Sequence, residues 1–183
     1  IYLLSSQVER CNQILKKLSL NPSQEDDFID EDLSMREYLN EIIRSFKETS
    51  DKEFILNLSQ DSNPQKITKS IEIVYGLRNF IGNANKFSKS KVFINLKSDS
   101  STTEIVIEDD GNGYPFEILM KIGEPYLKTN KGSNDKNSGL GLGIFIGKTL
   151  LEKNFAIINC RNSKTRGGAE VIIKWKNKEL FNI

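Results

Sequence analysis

Three polar residues in "NFIGNANKF", namely Asn79, Asn83 and Lys86, stand at i, i+4 and i+7 and therefore share one face if the segment is helical. A carboxamide oxygen can ligate a hard cation such as Mg2+, and a lysine one turn further can meet phosphate oxygens. The same three side chains would serve equally as a solvated helix surface. Further on, "EDDGNGYP" sets Asp109 ahead of Gly111 and Gly113. A carboxylate at a strand end beside small residues can accept a hydrogen bond from an exocyclic amine on a base, or the stretch can be a tight turn. A third signal is "GLGLGIFIGKTLLEKNF", where Gly139, Gly141 and Gly143 lead into an apolar, helix-like run. Bare backbone at a helix start suits a phosphate, because unpaired N–H groups and the positive dipole end lie there. The dinucleotide fingerprint does not fit, since Gly143 is followed by three apolar residues before Gly147. A P-loop does not fit either, since it needs glycine at position 142, which is Leu142.

These residues need a scaffold. The chain has 183 residues, 37% of them apolar, which predicts one main core plus an extra element. Its 26 basic and 25 acidic residues nearly cancel, which argues against a protein that grips nucleic acid or an acidic membrane. No apolar run reaches membrane-spanning length and no secretory pattern opens the chain, so a soluble, cytoplasmic piece is expected. The absence of an initiator Met, and a helix already under way at residue 1, predict that the piece comes from a longer protein. Cys11 and Cys160 form no metal-spaced pair, which suits a reducing compartment. With no histidine, imidazole catalysis and His-ligated metal are excluded within these residues.

Along residues 1–20, Ile1, Leu4, Val8, Cys11, Leu15 and Leu18 form a narrow apolar stripe, read as a dimerisation helix in preference to one folded back on its own domain. Residues 21–34 read as an acidic linker, and 35–183 as the main domain. Ser34 and Glu37 make a capping box for a helix over "MREYLNEIIRSFKET". "EFILNLS" predicts a strand, residues 67–88 a long helix with Val74, Leu77, Ile81 and Ala84 on its apolar face, and "KVFINLKS" with "TTEIVIED" a hairpin. A short helix near 115–122, a polar loop near 124–138, the glycine-led helix and two strands, "FAIINCR" and "AEVIIKW", complete the order. Adjacent strand pairs predict a mixed sheet covered on one face by helices, not an alternating parallel fold.

Taken together, an Asn-rich helix, a D-x-G-x-G turn after a strand, the segment "IGEPYLKT", a polar loop and G-x-G-x-G opening a helix occur in one order. This arrangement, over residues 35–176, resembles the ATP-binding domain of sensor histidine kinases, within the wider Bergerat-fold family that includes gyrase, the Hsp90 chaperones and MutL. The resemblance implies a two-layer α/β sandwich that binds ATP and Mg2+. It implies Asn83 as the Mg2+ ligand, Asn79 on the phosphate side, Lys86 on phosphate, and Asp109 on the adenine amine with Gly111 and Gly113 beside the base. Tyr126 and Lys128 would line the nucleotide at the start of an ATP lid running to Ser138 and carrying Lys131 and Lys136. Gly139, Leu140, Gly141, Leu142 and Gly143 would form its hinge and an N–H nest over the phosphates.

ATP-hydrolysing relatives carry a glutamate one turn before the Mg2+-binding Asn, where this chain has Asn79. That favours the kinase branch, with Asn79 and Lys86 as its catalytic residues, because neutral histidine needs no base to activate it. The implied acceptor lies on an upstream helical hairpin, of which residues 1–20 would be the end, in a homodimeric, inner-membrane sensor that passes phosphate to a response regulator. No direct contact with nucleic acid is implied, and membrane contact arises only through segments outside this chain. The matches "ERCNQILKKLS", "IGEPYLKT", "GLGLGIFIGKTLLE" and "GGAEVIIKW" are similar to the redox-responsive RegB/PrrB group. Cys11 is then either a packing residue or one half of a dimer disulfide. Tyr75, Lys128 and Ala169 stand where many such kinases have Gln or Glu, Arg, and Thr. Other readings are a serine kinase of the anti-sigma type and a non-catalytic nucleotide-sensing or dimerisation module.

Overall fold

The computed structural model describes residues 33–59, 70–125 and 142–180. The apolar stripe of residues 1–20, with Cys11, lies outside them. The first described helix, α1 (Met35–Lys47), begins with the expected capping box: Glu37 N–H donates to Ser34 Oγ at 3.4 Å and Ser34 N–H donates to Glu37 Oε2 at 2.7 Å. Its buried residues Met35, Tyr38, Leu39, Ile42 and Ile43 recur at helical spacing. Burying each such large apolar side chain stabilises the fold by roughly 1.5–3 kcal/mol.

Strand β1 (Glu53–Leu58) follows, then α2 (Ile71–Phe87), β2 (Lys91–Ser98) and β3 (Thr102–Asp109). Ser70 caps α2, accepting from Ile73 N–H at 3.3 Å. Described residues of α2 thus start at Ile71, later than the residue 67 expected from periodicity. The chain continues through α3 (Phe116–Leu119), α4 (Gly143–Lys153), β4 (Ile157–Asn162), β5 (Ala169–Lys176) and α5 (Asn177–Leu180). The five strands form one sheet in the order β1-β2-β3-β5-β4. β1 runs parallel to β2, which requires the crossover through α2, and every other pairing is antiparallel. α3 is shorter than the 115–122 expected, and Gly123 follows at φ +95. α5 was not foreseen. Asn177 holds it to the β2–β3 turn, accepting from Thr103 Oγ1 at 2.8 Å and donating to the Asp99 carbonyl at 2.7 Å.

Alternation along β2, β3 and β5 turns Val92, Ile94, Leu96, Ile105, Ile107, Val171, Ile173 and Trp175 into the core, against Leu77, Phe80, Ile81 and Leu151 from the helices. This is the expected two-layer α/β sandwich. On the opposite face Glu108 is also buried, because the β4–β5 turn folds over it: Ser163 Oγ donates to its Oε1 at 2.8 Å, and Arg166 lies 3.4 Å from its Oε2 while stacking on Phe93.

Two features fix α4, the helix that brings the glycine-led segment to the site. α2 and α4 cross with their backbones almost in contact: a Cβ on Gly76 would lie 2.5 Å from Leu151 Cγ, and one on Gly147 would lie 3.1 Å from the Gly76 carbonyl oxygen. At the far end, buried Asn154 ties three elements together. Its Oδ1 accepts from Ser70 Oγ at 3.2 Å, its Nδ2 donates to the Leu150 carbonyl at 2.9 Å, and its own carbonyl accepts from Trp175 Nε1 at 3.1 Å. Among the described residues, no helix is long and apolar enough to cross a membrane.

Candidate nucleotide-binding site

Asp109 ends β3 on the helix-facing side and is 2% exposed. Its Oδ1 accepts from Gly111 N–H at 2.8 Å and from Ala169 N–H at 3.2 Å, while no hydrogen bond among the described residues reaches Oδ2. Burial pushes the carboxyl above its ordinary range; the bonds from Gly111 and Ala169 work against that rise and the charge of Asp110 adds to it. A carboxylate held by one oxygen, with the other spare, can take one donor from a ligand.

The glycines around it have packing reasons. A Cβ on Gly111 would lie 2.2 Å from the Phe87 carbonyl oxygen, and one on Gly168 would lie 2.0 Å from the Asp109 carbonyl oxygen and 2.3 Å from its Oδ1. Gly113 adopts φ +73, and its Cβ position faces Asn162 Oδ1 at 2.7 Å. Asn162 in turn grips the next residue: Tyr114 N–H donates to its Oδ1 at 2.6 Å, and its Nδ2 donates to the Tyr114 carbonyl at 3.0 Å. Gly168, Asn162 and Tyr114 were not picked out from sequence. Gly168 and Asn162 are some 50 to 60 residues from the groups they touch, so no local pattern marks them.

Asn79 and Asn83 are both half-buried on α2. Asn79 Nδ2 donates to the Tyr75 carbonyl at 2.8 Å, which orients the side chain and leaves Oδ1 facing the start of α4, 3.7 Å from where a Cβ on Gly143 would stand. No hydrogen bond is made by the Asn83 carboxamide among the described residues, so its oxygen is available to a cation. Lys86, one turn on, is exposed with its ammonium 5.3 Å from the Phe87 ring centroid. No cluster of three or more His, Cys, Asp or Glu side chains that could hold a metal occurs among the described residues. A cation here would therefore depend on a carboxamide and on ligand or water oxygens, a donor set that fits Mg2+.

α4 begins at Gly143 with Leu142 as its N-cap residue; no side chain caps it and no acidic residue lies in its first turn. Among the described residues no side chain takes up the N–H groups of that start, and such groups can meet an anion. Thus Asn79, Leu142 and Gly143 are brought together, and Asn83 and Lys86 continue the same face of α2. Asp109, Gly111 and Gly113 form a second cluster at the end of β3. Tyr126, Lys128, Lys131, Lys136, Gly139, Leu140 and Gly141 lie outside the described residues.

Residues 68–179 match the family model described as histidine kinase-, DNA gyrase B- and HSP90-like ATPase. The sensor histidine kinase RegB of Cereibacter sphaeroides is 34% identical over an alignment of 174 positions that covers 88% of this chain and 36% of that protein, so the chain spans about a third of the relative's length. The mycobacterial sensor histidine kinase MprB shares the fold with a TM-score of 0.66 at 20% identity, covering 79% of this chain and 96% of that one. Full-length ShkA, solved in complex with AMPPNP, gives a TM-score of 0.64 at 19% identity over 79% of this chain and 30% of its own. With its model matched across most of the sheet and both site-bearing helices, the chain belongs to the histidine kinase-, DNA gyrase B- and HSP90-like ATPase family.

Proposed function

We propose that this chain is the ATP-binding catalytic domain of a two-component sensor histidine kinase, delivering the γ-phosphate of ATP to a histidine outside these 183 residues for relay to a response regulator. The observation that carries the reading is Asn79. Its oxygen faces the start of α4, yet it is a carboxamide tied to the Tyr75 carbonyl and cannot act as a base toward water. Neutral imidazole is already nucleophilic and needs no such base. The RegB likeness supports the same branch.

In this reading Asp109 Oδ2 accepts from the 6-amino group of adenine, and the open start of α4 faces phosphate oxygens together with Lys86. Asn83 Oδ1 would hold Mg2+, which supplies charge neutralisation on the phosphates. Asn79 and Lys86 position the γ-phosphate, and the work of the domain is positioning and electrostatics. Tyr126, Lys128, Gly139, Leu140 and Gly141 would close over the nucleotide. Residues 1–20 are proposed as the end of a dimerising hairpin, making the full protein a homodimer whose catalytic part lies on the cytoplasmic side of a membrane. The chain has no histidine, so the acceptor must come from elsewhere.

The test is titration of ADP and AMPPNP into the chain with and without Mg2+, followed by incubation with γ-labelled ATP. Expected are Mg2+-strengthened binding, loss of that strengthening in Asn83→Ala, no self-labelling and slow hydrolysis. Brisk hydrolysis would move the chain to the ATPase branch, and acid-stable labelling of its own hydroxyls to the serine kinases.

A further inference from the structure

Tyr114 is 9% exposed, and its hydroxyl is buried with no hydrogen-bond partner among the described residues. Native cores rarely leave such a group unmade, and one found beside a binding site calls for a partner that arrives with a ligand or a water. The residue is not loosely placed, since Asn162 holds its backbone from both sides. Asn162 pairs with Ala169 across β4 and β5, and Ala169 N–H reaches Asp109 Oδ1, so Asp109, Ala169 and the Asn162 clamp form one row across the end of the sheet. Cys160, two residues before Asn162 and on the same face of β4, packs against the core there.

We propose that Tyr114 Oη is a second base-reading group of the pocket, donating to N1 of adenine, directly or through one water, while Asp109 Oδ2 accepts from the 6-amino group. This rests on the nucleotide reading above and goes beyond it by naming what selects the base. Burial, and then the neighbouring Cys160 and Asp109, push the phenol's pKa up, so it remains a donor at neutral pH. An acceptor beside a donor matches adenine, which offers an amine beside a bare ring nitrogen. Guanine offers a carbonyl oxygen beside an N–H, so both contacts are reversed, and a site built for hydrogen bonds rejects a ligand that leaves them unpaired.

The experiment is calorimetric titration of ADP, GDP, 1-deaza-ADP and 7-deaza-ADP into the wild-type chain and Tyr114→Phe, with thermal unfolding of both. Tyr114→Phe should unfold at the same temperature or higher, since it loses only an unpartnered hydroxyl, and should bind ADP about tenfold more weakly. It should lose the same factor for 7-deaza-ADP, bind 1-deaza-ADP as the wild type does, and discriminate less against GDP. On the wild-type side, 1-deaza-ADP should already bind about tenfold more weakly than ADP. Unchanged ADP affinity in Tyr114→Phe, or an equal loss for 1-deaza-ADP, overturns the pairing while leaving Asp109-dependent nucleotide binding intact. If the wild type binds no nucleotide, both readings fall.

Discussion

Asp109 and Asp110 stand on the two sides of the corner where β3 ends, and the molecule uses them in opposite ways. Asp110 turns back toward the junction of α2 and β2. Its Oδ1 accepts from the N–H groups of Lys89, Ser90 and Lys91 at 2.8, 3.0 and 3.1 Å, and its Oδ2 accepts from Ser90 Oγ at 2.6 Å. Burial works against its charge, but the bonds from the Ser90 side chain and from the three backbone N–H groups outweigh it and hold the carboxyl well below its ordinary range. Asp109 turns inward, keeps one oxygen without a partner among the described residues, and is pushed upward by burial. A carboxylate whose acceptors are filled by its own chain holds the fold together. One left half-filled in a buried position adds little to the fold and is poised for a ligand.

The sharpest break in this comparison is Asp109→Asn. It should weaken ADP binding on the order of a hundredfold, ~2–3 kcal/mol, by removing a charged acceptor. Its resistance to urea should hold or rise. A carboxyl whose folded pKa is raised contributes stability that is fully present below its unfolded pKa and lost as pH rises through the folded value, so at neutral pH the charge is a burden that Asn removes. Asp110→Asn should do the reverse, lowering unfolding free energy by ~1–2 kcal/mol after allowance for solvent screening, with ADP affinity within about threefold of wild type. Its depressed pKa makes that stability present above the unfolded carboxyl pKa and lost as pH falls through the folded one. Equal urea midpoints for the two variants would erase the distinction. The smallest effect is a pH dependence: ADP affinity should begin to fall, on acidification, above the ordinary aspartate range as Asp109 protonates. A profile for Asp109→Asn that tracks the wild type would assign the titration to another group.

The sequence distinguished these neighbours because Asp109 stands two and four residues before Gly111 and Gly113, but it offered no sign of what Asp110 does. Its partners belong to the turn after α2, roughly twenty residues earlier, and side chain to backbone bonds across that distance carry no periodic signature. The helix face of Asn79, Asn83 and Lys86 was legible because a helical repeat depends on spacing alone. Strand alternation and the Ser34–Glu37 cap were legible for the same local reason. What remained hidden depends on tertiary approach. Gly168 is required because the Asp109 carbonyl passes where its side chain would stand, and Gly76 because α4 crosses α2 there. α5 was missed because Asn177 is held by Thr103 and Asp99, residues of a distant hairpin turn.

β3 and β5 lie side by side in the sheet, although residues 110–168 separate them in the chain. The start of α4, with Leu142 and Gly143, therefore rides on one long excursion between two strands that are already paired. The entropy of closing such an excursion grows with the logarithm of its length, so doubling it costs only about 0.6 kcal/mol. The length and composition of residues 126–141 can thus drift, or be exchanged by grafting, with little effect on whether the sheet forms. Whether the sheet forms and what residues 126–141 do then become separately adjustable properties.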